Sequence, residues 1–169
     1  RILNYTAKAA VFNGDYQRAF DLIEEATQGA SNKKSVVFSN AIRMAYLVHI
    51  GHFDVADVFF KKTIMLPESH TEPFAAAWGY FFEAEACYRL GKNSDALKYQ
   101  ARSVNLFFSD RYILEAGISC IAPLLWDLSK KDRVFFEKLI DNVDIISKLS
   151  TYKEIHRDPP RRFFVDLFS

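Results

Sequence analysis

The chain has 169 residues, half of them apolar and a quarter charged, which fits one domain with a sizeable core and excludes the disordered and fibrous classes. Its 22 Lys and Arg nearly balance 21 Asp and Glu, so a formal charge of +1 gives no broad drive toward nucleic acid or an anionic membrane. No apolar run approaches the roughly 18 residues of a membrane span, and the start "RILNYTAKAA" has no signal-peptide core or cleavage site. The absence of an initiator Met fits a fragment of something longer. Cys87 and Cys120 lie far apart in apolar helical contexts, which suits buried reduced thiols and a cytoplasmic setting better than a disulfide framework or a zinc site.

Along the chain, helical spacing appears first at Ile2, Leu3, Thr6 and Ala10 and stops at Gly14. "NGDYQRAF" then opens a second helix. The same event recurs at "IGHFDVADVFF" and "LGKNSDALKYQ", after helical runs through Ile42, Ala45, Tyr46 and Val48 and through Trp78, Phe81, Phe82, Glu85 and Tyr88. Gly14, Gly51 and Gly91 each precede an alanine (Ala19, Ala56, Ala96) by five residues, and seven residues beyond each alanine stand Ala26, Thr63 and Ser103. The glycines suit left-handed helix ends, Asp15, Asp54 and Ser94 are candidate caps of the following helices, and the small residues predict two close helix approaches per unit. Tyr16 and Phe53 are expected over the turns. "QGASNKKS" and Pro67 separate the units, and Pro73 is expected to open a helix.

The signal weakens after residue 107. Two further helices are expected around "SKKD": one with an apolar face of Ile113, Leu114, Ile118, Ile121 and Leu125, kinked by Pro123, and one with Phe135, Leu139, Ile140, Val143 and Ile146. Beyond Pro159 and Pro160, the helical set Phe163, Phe164, Leu167 and Phe168 reads either as a cap over an open repeat end or as the start of a further domain. The resulting division is a domain of residues 1–158, in units of about 1–30, 33–67, 71–107 and 111–150, followed by an aromatic capping segment at 159–169.

No residue pattern points to catalysis. His49 and His52 have a metal-ligand spacing, but Gly51 between them ends the helix, so no metal or other cofactor is expected. Glu83 and Glu85 lie on different sides of one helix, and the glycines are spread one per turn, so neither a paired-carboxylate site nor a phosphate loop is legible. The basic doublets at 33–34, 61–62, 130–131 and 161–162 read as solvated charge near helix ends and turns. Phe59, Phe60, Phe81, Phe82, Phe135 and Phe136 read chiefly as core, although adjacent members cannot both point inward.

The glycine turn, the aromatic after it in two units, and the small residues spaced by seven resemble the tetratricopeptide repeat over residues 1 to about 107. The alanines recur after 37 and 40 residues, against about 34 in the standard repeat, which is similar to the long-period variants of kinesin light chain, bacterial peptide receptors and the maltose-regulon activator. The resemblance implies an all-α superhelix of three clear helix pairs, a degenerate fourth pair and a C-terminal capping helix. It also implies a groove formed by the first helices, at Asn4, Lys8, Val11 and Phe12; at Phe38, Ala41, Ala45, Val48 and His49; and at Trp78, Phe81, Glu85, Tyr88 and Arg89. Phe38, His49, Trp78, Phe81, Glu85, Tyr88 and Arg89 are the candidate binding residues. This set has too few Lys, Arg and Asn side chains to clamp the doubly anionic end of a chaperone tail; an apolar or aromatic segment fits it better. The implied function is noncatalytic binding of a protein or peptide as adaptor or scaffold. The alternative is the effector-binding part of a bacterial transcription regulator, with a regulatory peptide as ligand and the DNA-binding domain elsewhere.

Overall fold

Gly14, Gly51 and Gly91 adopt φ of 77°, 79° and 75°, the left-handed region that glycine enters without a Cβ penalty. At the second, the Gly51 N–H donates to the Val48 carbonyl at 3.0 Å and the His52 N–H to the Leu47 carbonyl at 2.9 Å, satisfying two carbonyls at the helix end. Gly14 with Asp15 and Gly91 with Lys92 make the corresponding pairs. These turns join α1 (Ile2–Phe12) to α2 (Tyr16–Gln28), α3 (Lys33–His49) to α4 (Phe53–Thr63), and α5 (Pro73–Arg89) to α6 (Asn93–Ser109). The structure is a computed structural model that describes residues 2–65, 72–109, 111–126 and 133–143, and within these the regular structure is wholly helical. It continues with α7 (Ile113–Ile121), α8 (Pro123–Trp126) and α9 (Arg133–Val143).

The helices pack in a consistent order. α1, α3 and α5 each pack on the helix that follows; α1 also touches α3, and α3 touches α5. α2 packs on α3, α4 on α5 and α6 on α7, so each pair leans on the first helix of the next. Small residues set the spacing: Ala19, Ala56 and Ala96 have no exposure, and fully buried Ser103 donates from its hydroxyl to the Ala77 carbonyl at 2.9 Å. Gly79 lets α5 cross the end of α4, because a Cβ there would stand 2.8 Å from Ile64 Cγ2. Phe60 fills the space between pairs, with Tyr80 and Tyr99 edge-on at 5.1 and 5.2 Å. Of the adjacent pairs, Phe60 and Phe82 are buried while Phe59 and Phe81 are only partly so.

Several expectations are corrected. Asp15 caps α2, accepting from the Arg18 N–H, but His52 occupies the cap position of α4 without a side-chain bond, and Asp54 and Ser94 fall inside the first turns of α4 and α6. Acidic side chains in those turns, Asp54 and Asp95, still oppose the positive helix ends. Asn32 caps α3 instead, accepting from the Ser35 N–H at 2.9 Å. In α7 two members of the expected apolar face are turned outward: Leu114 and Ile118 are 51% and 40% exposed, while Ile121 is half-buried and Ala116, Ser119 and Cys120 are buried. The reason is the close approach of α6, where Gln100 Nε2 and Ser103 Oγ both lie within hydrogen-bond distance of Ser119 Oγ, leaving no room for a large side chain. At Pro123, where a kink within one helix is expected, the helix breaks in two, with α7 ending at Ile121 and Pro123 opening α8. The segments around Pro67, around "SKKD", and the capping segment 159–169 lie outside the described residues.

Candidate functional site

Side chains from the three first helices converge on one face. From α1, Phe12 meets the His49 ring of α3 edge-on at 5.1 Å, and His49 meets Phe82 of α5 at 6.1 Å. Phe82 stacks on Trp78 at 5.9 Å with 24° between the planes, and Phe81 stands against both. Lys8 of α1 places Nζ 4.5 Å from the Trp78 ring centre, so side chains of α1 and α5 meet although α3 packs between those helices. Burial lowers the Lys8 pKa, partly offset by the field of Glu115 on α7. The Trp78 indole N–H is buried without a hydrogen-bond acceptor among the described residues, an arrangement that costs roughly 1–3 kcal/mol.

At the C-terminal ends of α3 and α5 this face opens into a cleft of about 390 Å³ lined by Val48, His49, Gly51, Phe53, Glu85 and Arg89. The Gly51 turn forms its edge. His49 Nδ1 lies 2.8 Å from the Ala45 carbonyl, which can only accept, so Nδ1 carries the proton and Nε2 is the nitrogen left to meet a ligand. Arg89 Nη2 lies 3.4 Å from Glu85 Oε1 on the next turn. Burial raises the Glu85 pKa, while the charges of Arg89 and His49 pull against it. The cleft thus holds a cation, a desolvated carboxyl and an imidazole beside Val48 and Phe53.

The seven candidate residues therefore do not form one site. His49, Glu85 and Arg89 share the cleft, while Trp78 and Phe81 lie outside its lining and connect to His49 through Phe82. Phe38 lies at the other end, packed on Tyr5 at 5.6 Å beside a separate cavity of about 360 Å³ that also contacts Phe74 and Tyr112. Tyr88 turns to the fourth unit, its ring 5.2 Å from Trp126 and 5.6 Å from Phe135, and is a packing residue. One turn of α5 explains the split, since residues 78, 81, 85 and 89 follow one stripe and 88 sits at its flank.

A second group of polar side chains, absent from the sequence reading, lies on the opposite side of α5. Asp57 of α4 and Glu83 and Cys87 of α5 are buried with their potential ligand atoms all within 4.8 Å of one another. Lys61 and Lys92 each reach an Asp57 oxygen at 2.7 Å, and Cys87 Sγ stands 3.2 Å from Glu83 Oε1, the thiol donating. Burial, then the contact with Asp57, pushes the Glu83 carboxyl up to about 8, so it holds a proton at neutral pH. Burial acts to raise Asp57 as well, but the two lysines outweigh it and hold that carboxyl at about 2. Burial and Glu83 push the Cys87 thiol up. Glu83 and Cys87 are four apart on one helix face, a signal that was available; Asp57 is brought to them only by the packing of α4 on α5.

No protein-family model, curated protein or solved structure matches this chain.

Proposed function

We propose that the chain is a noncatalytic interaction domain of tetratricopeptide-like architecture that binds a protein or peptide segment through the face formed by α1, α3 and α5. The observation that carries this reading is the cleft at His49, Glu85 and Arg89, where residues of two first helices meet next to the ring contact of His49 with Phe82. The order of helix packing and the contact of Lys8 with Trp78 across α3 support a concave face. The lining suits an extended segment that brings an aromatic or aliphatic side chain to Phe81 and Trp78 and a polar or acidic group to Arg89. A regulator's effector domain would use the same face.

A random-peptide display selection on the immobilised chain tests this. Selected peptides are expected to share an apolar or aromatic position and to lose at least about tenfold in affinity, near 1.4 kcal/mol, against Arg89→Ala or His49→Ala, with the thermal midpoint nearly unchanged because both side chains are exposed. Peptides that bind both variants as tightly as the parent chain would remove the cleft from the site.

A further inference from the structure

We propose that the cavity of about 360 Å³ at the N-terminal ends of α3 and α5 is a second anchor pocket, which takes an aromatic side chain of a bound segment and holds the adjoining main-chain amide on Asn4. The proposal rests on the binding face of α1, α3 and α5 and adds the residue class that its other end reads. Asn4 carries it. Its side chain lines the cavity yet is only 4% exposed, and one end of its amide is tied to Ser39 Oγ at 3.1 Å while the other has no partner among the described residues. Whichever way the amide is turned, one polar atom is left for a ligand. A main-chain peptide group, which offers both a donor and an acceptor, answers either orientation.

The walls select an aromatic occupant. Tyr5 of α1 and Phe38 of α3 stand at 5.6 Å with 60° between their planes, and Phe74 of α5 and Tyr112 at the start of α7 stand at 4.3 Å with 45°, so two tilted ring pairs line the cavity. A further ring in edge or offset contact with them gains more than the area it buries. Lys34 and Glu72 form an ion pair at 2.8 Å, though not aligned as a hydrogen bond, so the charges of the cavity cancel and a neutral side chain fits it best. Its volume lies at the low end of ligand pockets, about 300–1,000 Å³, and suits one side chain with its peptide group. Rings join it to the cleft: Phe74 meets Trp78 at 6.5 Å, and Trp78 leads through Phe82 to His49. From Phe74 to Arg89 the helix rises about 22 Å, a span that an extended segment crosses in about seven residues.

The test is protein-observed NMR of the full chain with N-acetyl-tyrosine N-methylamide as the probe. The expected result is a saturable shift of the signals of Asn4, Phe38, Phe74 and Tyr112, with no comparable shift from N-acetyl-alanine N-methylamide. Binding to Asn4→Ala and to Tyr112→Ala, each checked for an unchanged helical spectrum, should be at least about fivefold weaker. Absence of a saturable shift in the folded parent chain overturns the proposal, as does binding that both variants leave unaltered. Display-selected peptides connect the pocket to the face: they should place an aromatic residue about seven positions from the group that depends on Arg89 and lose affinity in Tyr112→Ala. Peptides weakened by Arg89→Ala but not by Tyr112→Ala overturn the second anchor and leave the cleft standing. Probe binding that persists while Arg89→Ala weakens no peptide supports the pocket and removes the cleft instead.

Discussion

Gly79 sits in the middle of α5 where most helices would gain from a side chain. Replacing an interior glycine by alanine normally stabilises a helix by about 0.8–1 kcal/mol, through lost backbone freedom in the unfolded chain. Here the new Cβ would meet Ile64 Cγ2, Cγ1 and Cδ1 at 2.8, 3.0 and 3.2 Å, and Ile64 has no exposure and therefore no space to turn into. Ile is also stiff at χ1, because both γ carbons branch from one Cβ. Overpacking of this kind costs about 1–3 kcal/mol, so Gly79→Ala should lower stability by a net of about 1 kcal/mol and the thermal midpoint by about 2–4 °C. The decisive step is a double-mutant cycle with Ile64→Ala, which removes all three contacting atoms. In that background Gly79→Ala should become stabilising, a reversal of sign measurable by urea denaturation. A raised midpoint in the parent chain, or an equal loss in both backgrounds, would refute the close crossing of α4 and α5.

Arg111 repeats the glycine turns without a glycine, with φ at 65° and its N–H donating to the Phe108 carbonyl at 3.1 Å. Arg111→Gly should therefore raise stability by about 1 kcal/mol, seen as a higher urea midpoint at unchanged slope; a fall would show that the turn is not left-handed. Glu83 predicts a pH effect on stability. Its carboxyl titrates at about 8 when folded against 4.5 ordinarily, so the folded state holds the extra proton between those values. Stability should fall as pH rises through that window, by up to about 1.4 kcal/mol per unit, and level off above it. Glu83→Gln should flatten the decline, and an identical decline in that variant would assign the effect to other groups. Asp57 acts oppositely, its contribution being lost as pH falls from 3.8 toward 2.

The parts of the fold legible in the sequence were those fixed by local chemistry. Three glycines marked left-handed turns and three alanines marked close approaches, because each residue type is nearly forced by its backbone or spacing. The turn at Arg111 was missed because its hydrogen bonds resemble those at Gly51 while its residue does not. The inward face of α7 was assigned to its largest apolar residues, yet the tight contact with α6 selects Ala116, Ser119 and Cys120. His49, Glu85 and Arg89 could be grouped from their offsets to Ala56 and Ala96, since repeated units place like offsets on one face. Tyr88 differs because its partners Trp126 and Phe135 come from a unit with no clear repeat signal. The cluster at Asp57 depends on a contact between helices, which no spacing along the chain encodes.

The central claim is that binding occurs on the face shared by α3 and α5. Hydrogen–deuterium exchange of the full chain, with and without a display-selected peptide, tests it most directly. The expected footprint is slowed exchange at the ends of α3 and α5 and the Gly51 turn, roughly residues 45–53 and 81–91, where opening of the helix ends is most easily suppressed by a ligand. Slowing confined to α2, α4 or α6, with these segments unchanged at saturating peptide, would contradict it.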